Sequence, residues 1–495
     1  ININDLTNTH YIELYLPNMT SNQPMILIGT DWQTTVWVNG SYGVTNGNGL
    51  IEPWNDMSAV TGDIISLLID RTNNTISYYK NNIYIWNKVF PVNGIIWVWT
   101  QNGASWVFNF GQDSTFAWNK TEWNYYPAAG WEFAYEPPAG FKALSTNNLP
   151  EPSIVDPGEH FDVVTWTGTN TLWGKDITGL DFQPDMVWSK WRDTAYLWNQ
   201  FDSVRGPAKR LSSNSTNAES INATYWYLSS FNSNGFSTSG GSTNNENWNE
   251  TNKNYVAWNW KAGWSAVTNT DWSITSQVSA NTEAGFSIVG YTGNWVSGNT
   301  IGHGLSTAPE LLFIKNRTSS TSWAALTTAV DWSDDYMFLN TTDAKADNSL
   351  ADSLDTTTFK VWSWTNWNGN GANHIAYVFH SVPWYSKVWS YTGNGSADGP
   401  FVYTGFKPKY VMVKAYSKAD PWWIIDSVRS QTNEISQSLR ANDAIVEADD
   451  HNANYDFLSN GFKARTASGQ NWNESGTSYI YIAFAEKPFK YASAR

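Results

Sequence analysis

Any chemistry in this chain would have to come from carboxylates, histidines or recurring cations, because its 495 residues include no cysteine. Two carboxylates about 5–10 Å apart can cleave a glycosidic bond, one as acid and the other as nucleophile or base. Two acidic groups offer such pairs: Asp331, Asp334 and Asp335 in DWSDDY, and Asp443, Glu447, Asp449, Asp450 and Asp456. Both lie in loop-like segments and neither recurs elsewhere, so solvated loop carboxylates are the simpler reading. Asp449 and Asp450 are the better candidates for oxygen ligands to a divalent cation, although no resident metal or cofactor is expected. The histidines are His10, His160, His303, His374, His380 and His451. His374 and His380 would face one side of a strand, yet their spacing puts them about 20 Å apart, too far to share a metal. No G-x-S-x-G elbow, phosphate-binding loop or dinucleotide fingerprint occurs. No catalytic residue is expected, and the chain reads as a non-enzyme.

The recurring cations say more. Lys190, Lys315 and Lys414 each follow a proline at one constant offset, the prolines being Pro184, Pro309 and Pro408. Asp-Ser-Val-Arg occurs at 202–205 and 426–429, at the same offset from Pro184 and from Pro408; the middle copy lacks it. An Asp and an Arg so closely spaced after an apolar strand cap a turn or pair across a module. A lysine closing a strand reads as an exposed edge charge that discourages edge-to-edge association. Both readings are structural, and they direct attention to the elements carrying them.

Those elements are strands. Apolar residues come in alternating or continuous runs at 11–16, 64–69, 95–99 and 480–484, separated by Asn-, Gly- and Ser-rich turns. Short, closely spaced runs of this kind predict an all-β chain of sandwiches or barrels. A short helix is conceivable only over 343–354. The chain is too long for one core, so three or four domains are expected. The formal charge of −15 disfavours nucleic acid, which would repel it. No run of eighteen apolar residues occurs, so no membrane insertion is expected. The opening ININDLTN shows neither a basic nor an apolar signal region, and a segment preceding it is expected. With 32 Trp, 25 Tyr and 22 Phe, small β-modules can be stable without large aliphatic cores.

The register of prolines and lysines marks three tandem modules of about 100 residues, at 159–262, 284–385 and 386–495, with a linker over 263–283. An aromatic-Thr-Gly precedes each proline at a nearly constant distance, beginning at Trp166, Tyr291 and Tyr391. Ser-Asn-Gly-Phe is shared by 233–236 and 459–462. Upstream, 114–158 is punctuated by prolines and reads as a semi-rigid connector. Residues 1–113 form a separate unit. It carries Gly62-Asp63-Ile64-Ile65, a hairpin ending in Tyr79-Lys80-Asn81, then Phe90-Pro91 and Asn109-Phe110-Gly111-Gln112. In that order these motifs resemble the SPRY-type domain, a concanavalin-like β-sandwich that binds partners through its loops.

The whole arrangement resembles virion structural proteins of tailed bacteriophages, particularly fibre or appendage proteins. The resemblance rests on the SPRY-like unit, on Asn148-Leu149-Pro150, on the tandem modules, and on the stretches 390–405, 456–463 and 483–494. It implies a subunit assembled in the host cytoplasm and placed on the particle surface. It implies contacts with other virion proteins, a homo-oligomer with the trimer favoured, and adhesion to host-surface glycan, where many weak contacts sum to useful avidity. A capsid decoration or filament protein without a receptor role, and a glycosidase-type tailspike, are the alternatives. The resemblance supplies no catalytic residues.

Overall fold

The computed structural model describes residues 9–18, 25–29, 44–45, 50–51, 61–89, 95–99, 105–109, 133–135, 137–138 and 141–143 of a first unit. Glu151 closes that first unit, and of a second the structure describes 152–169, 174–221, 227–240, 248–330, 334–347, 353–449, 454–466 and 472–492. The units divide at residues 151 and 152. The protein is all-β and built of several sheet modules; its α-helix among the described residues is the single turn Thr365–Asn368. The runs expected to be strands lie in Thr9–Asn18, Ile64–Asp70, Ile95–Trp99 and Ser478–Pro488.

In the first unit a sheet runs in the order Lys142–Ala143, Thr9–Asn18, Ile64–Asp70, Thr75–Lys80, Ile83–Val89, with Ser105–Asn109 also pairing Thr9–Asn18. The Gly-Asp and Tyr-Lys-Asn motifs meet across it. Asp63 pairs with Lys80 at 3.0 Å and accepts from the Asn81 amide at 2.7 Å, while the Asn81 carbonyl oxygen of the side chain takes the Ile64 N–H. These residues fasten a hairpin end. The stretch expected to be a connector contributes to this unit instead. Lys142–Ala143 lies parallel to His10 and Tyr11, Phe133 and Ala134 are buried, and the N–H groups of Ala134 and Tyr135 each reach Glu13 at 2.8 Å. Prolines interrupt a ladder only where they sit, so a two-residue strand between them survives. Phe110, Gly111 and Gln112 lie outside the described residues.

In the second unit the three modules share one plan. A large antiparallel sheet orders its strands first, closing, lysine-bearing, second. The first module uses Phe161–Thr167, Asn254–Trp260, Met186–Trp191 and Asn199–Asp202; the middle one uses Phe286–Thr292, Asn373–Phe379, Leu311–Asn316 and Ala324–Thr327; the third uses Ser386–Thr392, Ser478–Pro488, Phe406–Ala415 and Trp422–Asp426. A smaller sheet covers one face of each, for example Phe401–Tyr403, Gly461–Ala464 and Tyr455–Leu458 in the third. Alternation along each strand then divides its side chains between two cores. Val411, Val413, Trp423 and Ile425 pack under the third module's small sheet, whereas Tyr410, Met412, Trp422 and Ile424 enter a core shared by all three modules. The continuous apolar runs therefore reflect strands buried on both faces.

At the middle of that shared core the closing strands contribute Trp260, Phe379 and Phe484, one per module, with ring centroids 6.4, 5.8 and 6.2 Å apart. Three modules of one chain thus surround a common aromatic centre with approximate threefold symmetry.

Two expectations are corrected here. The linker over 263–283 contains Val267–Asn269 and Ser276–Asn281, which extend the middle module's sheet. Residues 343–347 are not helical: the N–H of Lys345 is taken by the Tyr416 carbonyl of the third module, and Ala346–Asp347 is a strand. A tertiary hydrogen bond wins there over helix propensity.

Candidate functional site

The repeated lysines are not edge charges. Lys190, Lys315 and Lys414 are fully buried at the ends of their strands. Each ammonium lies among backbone carbonyls: Lys190 reaches Trp191 and Thr194, Lys315 reaches Thr216 and Thr321, and Lys414 reaches Ala415, Lys418 and Thr342. Thr216 and Thr342 belong to a neighbouring module, so Lys315 and Lys414 help join modules, whereas the carbonyls that hold Lys190 belong to its own. Burial pushes all three ammonium groups down to about 8.

A tryptophan at one constant offset from each proline completes the joint. The indole N–H of Trp198 donates to the Arg440 and Asp443 carbonyls at 3.0 and 2.9 Å, that of Trp323 to Ser212 at 2.9 Å, and that of Trp422 to Phe338 at 3.0 Å. The first module thereby bonds the third, the middle bonds the first, and the third bonds the middle, closing a ring. Three backbone bonds repeat the pattern: Glu447 N–H to Arg192, Glu219 N–H to Arg317, and Lys345 N–H to Tyr416.

Asp-Ser-Val-Arg serves the same ring. Asp202 and Arg205 are wholly buried and paired, and the Tyr377 hydroxyl of the middle module donates to Asp202 at 2.6 Å. Asp426 and Arg429 repeat this at 2.5 Å, with the Trp258 indole of the first module donating to Asp426 at 3.1 Å. Glu219 then bridges Arg205 to Arg317, and Glu447 bridges Arg429 to Arg192. Burial alone would raise the Glu447 carboxyl, but the two guanidinium groups hold it below its ordinary range. The middle module places Thr327 and Val330 at the Asp and Arg positions, and Val330 packs against the shared core. Its counterpart of Glu219 and Glu447 is Lys345, which pairs with Asp335 at 3.0 Å within its own module.

The structure thus disperses the acidic groups. Glu447 belongs to the ring, Asp335 is buried against Lys345, Asp334 accepts the Ser353 N–H at 2.7 Å, and Asp456 faces Arg465 at 3.2 Å. Asp443 lies 3.9 Å from Arg440. Asp449 accepts the Ser436 hydroxyl at 2.6 Å, while Asp331 and Asp450 lie outside the described residues. No group of three potential metal ligands comes together among the described residues. His374 stacks on Tyr291 with centroids 5.0 Å apart, and burial pushes its imidazole down to about 4.

Asn-Trp-Asn at 247–249, 366–368 and 471–473 is a repeat that the sequence reading overlooked. It explains aromatic-Thr-Gly. Trp248, Trp367 and Trp472 are buried, and the side chains of Asn249, Asn368 and Asn473 accept the N–H of Thr169, Asn294 and Asn394 at 2.9, 2.7 and 2.9 Å. The glycine permits close approach: a Cβ on Gly168, Gly293 or Gly393 would fall 2.0, 2.3 or 2.4 Å from the carbonyl of Glu250, Gly369 or Glu474.

At this joint the middle module departs from the third. Trp295 adopts a left-handed φ of 63°, costing an L-residue about 1–2 kcal/mol, where the third module has Gly395 at 67°. Beside it opens a cavity of about 610 Å³ lined by Asn294, Trp295, Ser319, Thr365, Gly369 and Asn370 among others. Its size suits a small ligand, and its walls carry an aromatic ring, amides and hydroxyls. This cavity is the candidate binding site.

No curated protein matches the chain. Residues 156–488 match the family described as Domain of unknown function (DUF7483), a span that takes in all three modules, and the chain belongs to that family.

Proposed function

We propose that this protein is a non-enzymatic structural component of a virus particle, an appendage subunit of the tailed-phage type that adheres to the host surface. The observation that carries this reading is where the polar chemistry goes. The recurring arginines, Glu219 and Glu447, and two of the three recurring lysines are consumed in joining the modules, the third lysine is buried within its own, and the cavity beside Trp295 holds groups that bind rather than react. An enzyme needs ionisable side chains aimed into a cleft. The tandem modules and the motif order of the first unit support the same reading through their resemblance to fibre and appendage proteins. In this proposal the subunit is made in the host cytoplasm, contacts other virion proteins and further copies of itself, and faces outward on the particle.

Immunogold labelling of intact particles with antibody against the second unit tests it. Label on a tail or other projecting appendage is expected. Label confined to the capsid shell would favour a decoration protein, and purified particles lacking the chain would refute the virion assignment. Release of reducing ends from host polysaccharide by the purified chain would restore the glycosidase alternative.

A further inference from the structure

We propose that the cavity beside Trp295 binds a neutral saccharide unit, stacked on the Trp295 indole and hydrogen-bonded by the surrounding amides and hydroxyls. This rests on the adhesive function proposed above and narrows it to one site and one ligand class.

The first observation is the residue itself. The backbone N–H of Trp295 donates to the Asn368 carbonyl at 3.1 Å, as that of Gly395 does to Asn473 at 2.8 Å, so the two positions are equivalent. Glycine fits this left-handed backbone without strain, whereas tryptophan does not. Burial offers no compensation, because Trp295 is 48% exposed. A strained residue with an exposed ring points to a task outside the fold.

Charge is the second observation. In the third module Lys418 pairs with Glu474 at the corresponding place. Counting from the lysine and from Asn-Trp-Asn, the middle module has Ser319 and Gly369 there. With both charges gone, the cavity has no ionised side chain among the described residues of its lining. An anionic sugar would lose hydration there without a cation to offset the loss. A neutral pyranose fits better, since its C–H face suits an indole and its hydroxyls suit amide and hydroxyl partners.

Preorganisation is the third. The Asn316 amide donates to the Thr365 carbonyl at 2.7 Å and its oxygen accepts the N–H groups of Thr318 and Ser319 at 2.9 and 3.0 Å, which fixes one wall. The exposed side chains of Thr365 and Asn370 remain to meet a ligand. A wall set beforehand lowers the ordering cost of binding.

The test uses the full chain and a panel of neutral and acidic oligosaccharides, with binding read by saturation-transfer NMR and titration calorimetry. Trp295→Gly relieves the backbone, so its thermal midpoint should not fall. Gly369→Glu restores the third module's acid and fills the cavity. A neutral saccharide bound by the native chain should weaken about tenfold or more in both variants, as loss of a central aromatic anchor predicts. Binding unchanged in both variants, a preference for acidic sugars, or no neutral sugar bound would each overturn the site. Adsorption of labelled chain to host cells separates the two ideas: adsorption that persists in Trp295→Gly removes this site and leaves the adhesive function standing, whereas no adsorption by the native chain removes the adhesive function.

Discussion

Asp426→Ala is the sharpest probe of the ring. Asp426 and Arg429 have no side-chain exposure. The carboxylate accepts from the Arg429 side chain at 2.5 Å, from the Trp258 indole at 3.1 Å, and from the backbone N–H groups of Val428 and Arg429 at 3.1 and 2.8 Å. Removing it leaves a buried guanidinium held by Glu447 at 2.8 Å and the Ile424 carbonyl at 3.1 Å. Stripping one partner from a buried pair costs about 3–5 kcal/mol. The middle module shows an alternative that needs no charge, Thr327 and Val330, so Asp426→Thr with Arg429→Val should cost only about 1–2 kcal/mol, as apolar replacement of a buried pair is often near neutral. With Arg429→Val alone costing about 3 kcal/mol, the two single losses sum to about 6–8 kcal/mol, so the two sites couple by roughly 4–7 kcal/mol, more than an ordinary contacting pair because neither charge has water to fall back on. Urea unfolding followed by tryptophan fluorescence measures each term from the midpoint, provided the slope is unchanged. If the double variant loses as much as the two single variants combined, the pair is not mutually compensating and the reasoning fails.

Three further outcomes are expected. Trp323→Phe keeps an aromatic ring but removes the indole bond to the Ser212 carbonyl, which keeps the Ser215 N–H at 3.2 Å, and should cost about 0.5–1.5 kcal/mol in the same unfolding assay; Trp198→Phe and Trp422→Phe should lose similar amounts, and a loss at one site alone would argue against a ring closed three times. The buried lysines titrate near 8 in the fold and near their ordinary value of 10.5 when unfolded, so between those values the unfolded chain holds more protons and stability rises with pH. The urea midpoint at pH 9.5 should exceed that at pH 7.5, Lys315→Met should flatten the difference, and an unchanged profile would contradict the burial argument. Gly393→Ala forces a methyl to 2.4 Å from the Glu474 carbonyl and should cost about 1–3 kcal/mol or more, seen as a lower thermal midpoint.

How much could be read from the sequence depended on whether a signal was local. Strands and their register were legible because alternation and turn residues act within a few positions. The continuous run at Tyr410, Val411, Met412 and Val413 marked a strand, and its burial on both faces emerges only with the core shared between modules. The environment of Lys414 was not legible, because its ammonium is held partly by the Thr342 carbonyl of another module and no local pattern encodes that. Misreading it as an edge charge followed from the general rarity of fully buried lysine. The Trp at a fixed offset past each proline and Asn-Trp-Asn were visible in principle, but 32 tryptophans hid their spacing. The sequence shows that the middle copy lacks Asp-Ser-Val-Arg but gives no reason for it. It becomes intelligible once Tyr377, Trp258 and Ile482 are seen at equivalent places on the closing strands: polar neighbours accompany the pair, and the apolar Ile482 accompanies Thr327 and Val330. For the Trp295 cavity, a sequence comparison shows tryptophan against glycine but not the left-handed backbone that makes the exchange costly.

Covalent linkage of the three modules changes what a mutation can do. In three identical chains around an axis, one codon alters every interface together, so a residue that suits a single interface must be tolerable at all of them. Here each interface is written separately. Glu219 faces Arg317, Glu447 faces Arg192, and Lys345 lies opposite Tyr416, so one joint has abandoned charge without disturbing the other two. The same independence lets the middle module exchange an ion pair for an open cavity while its neighbours keep the ring closed. Evolution could experiment at one third of this structure while the other two thirds held it together.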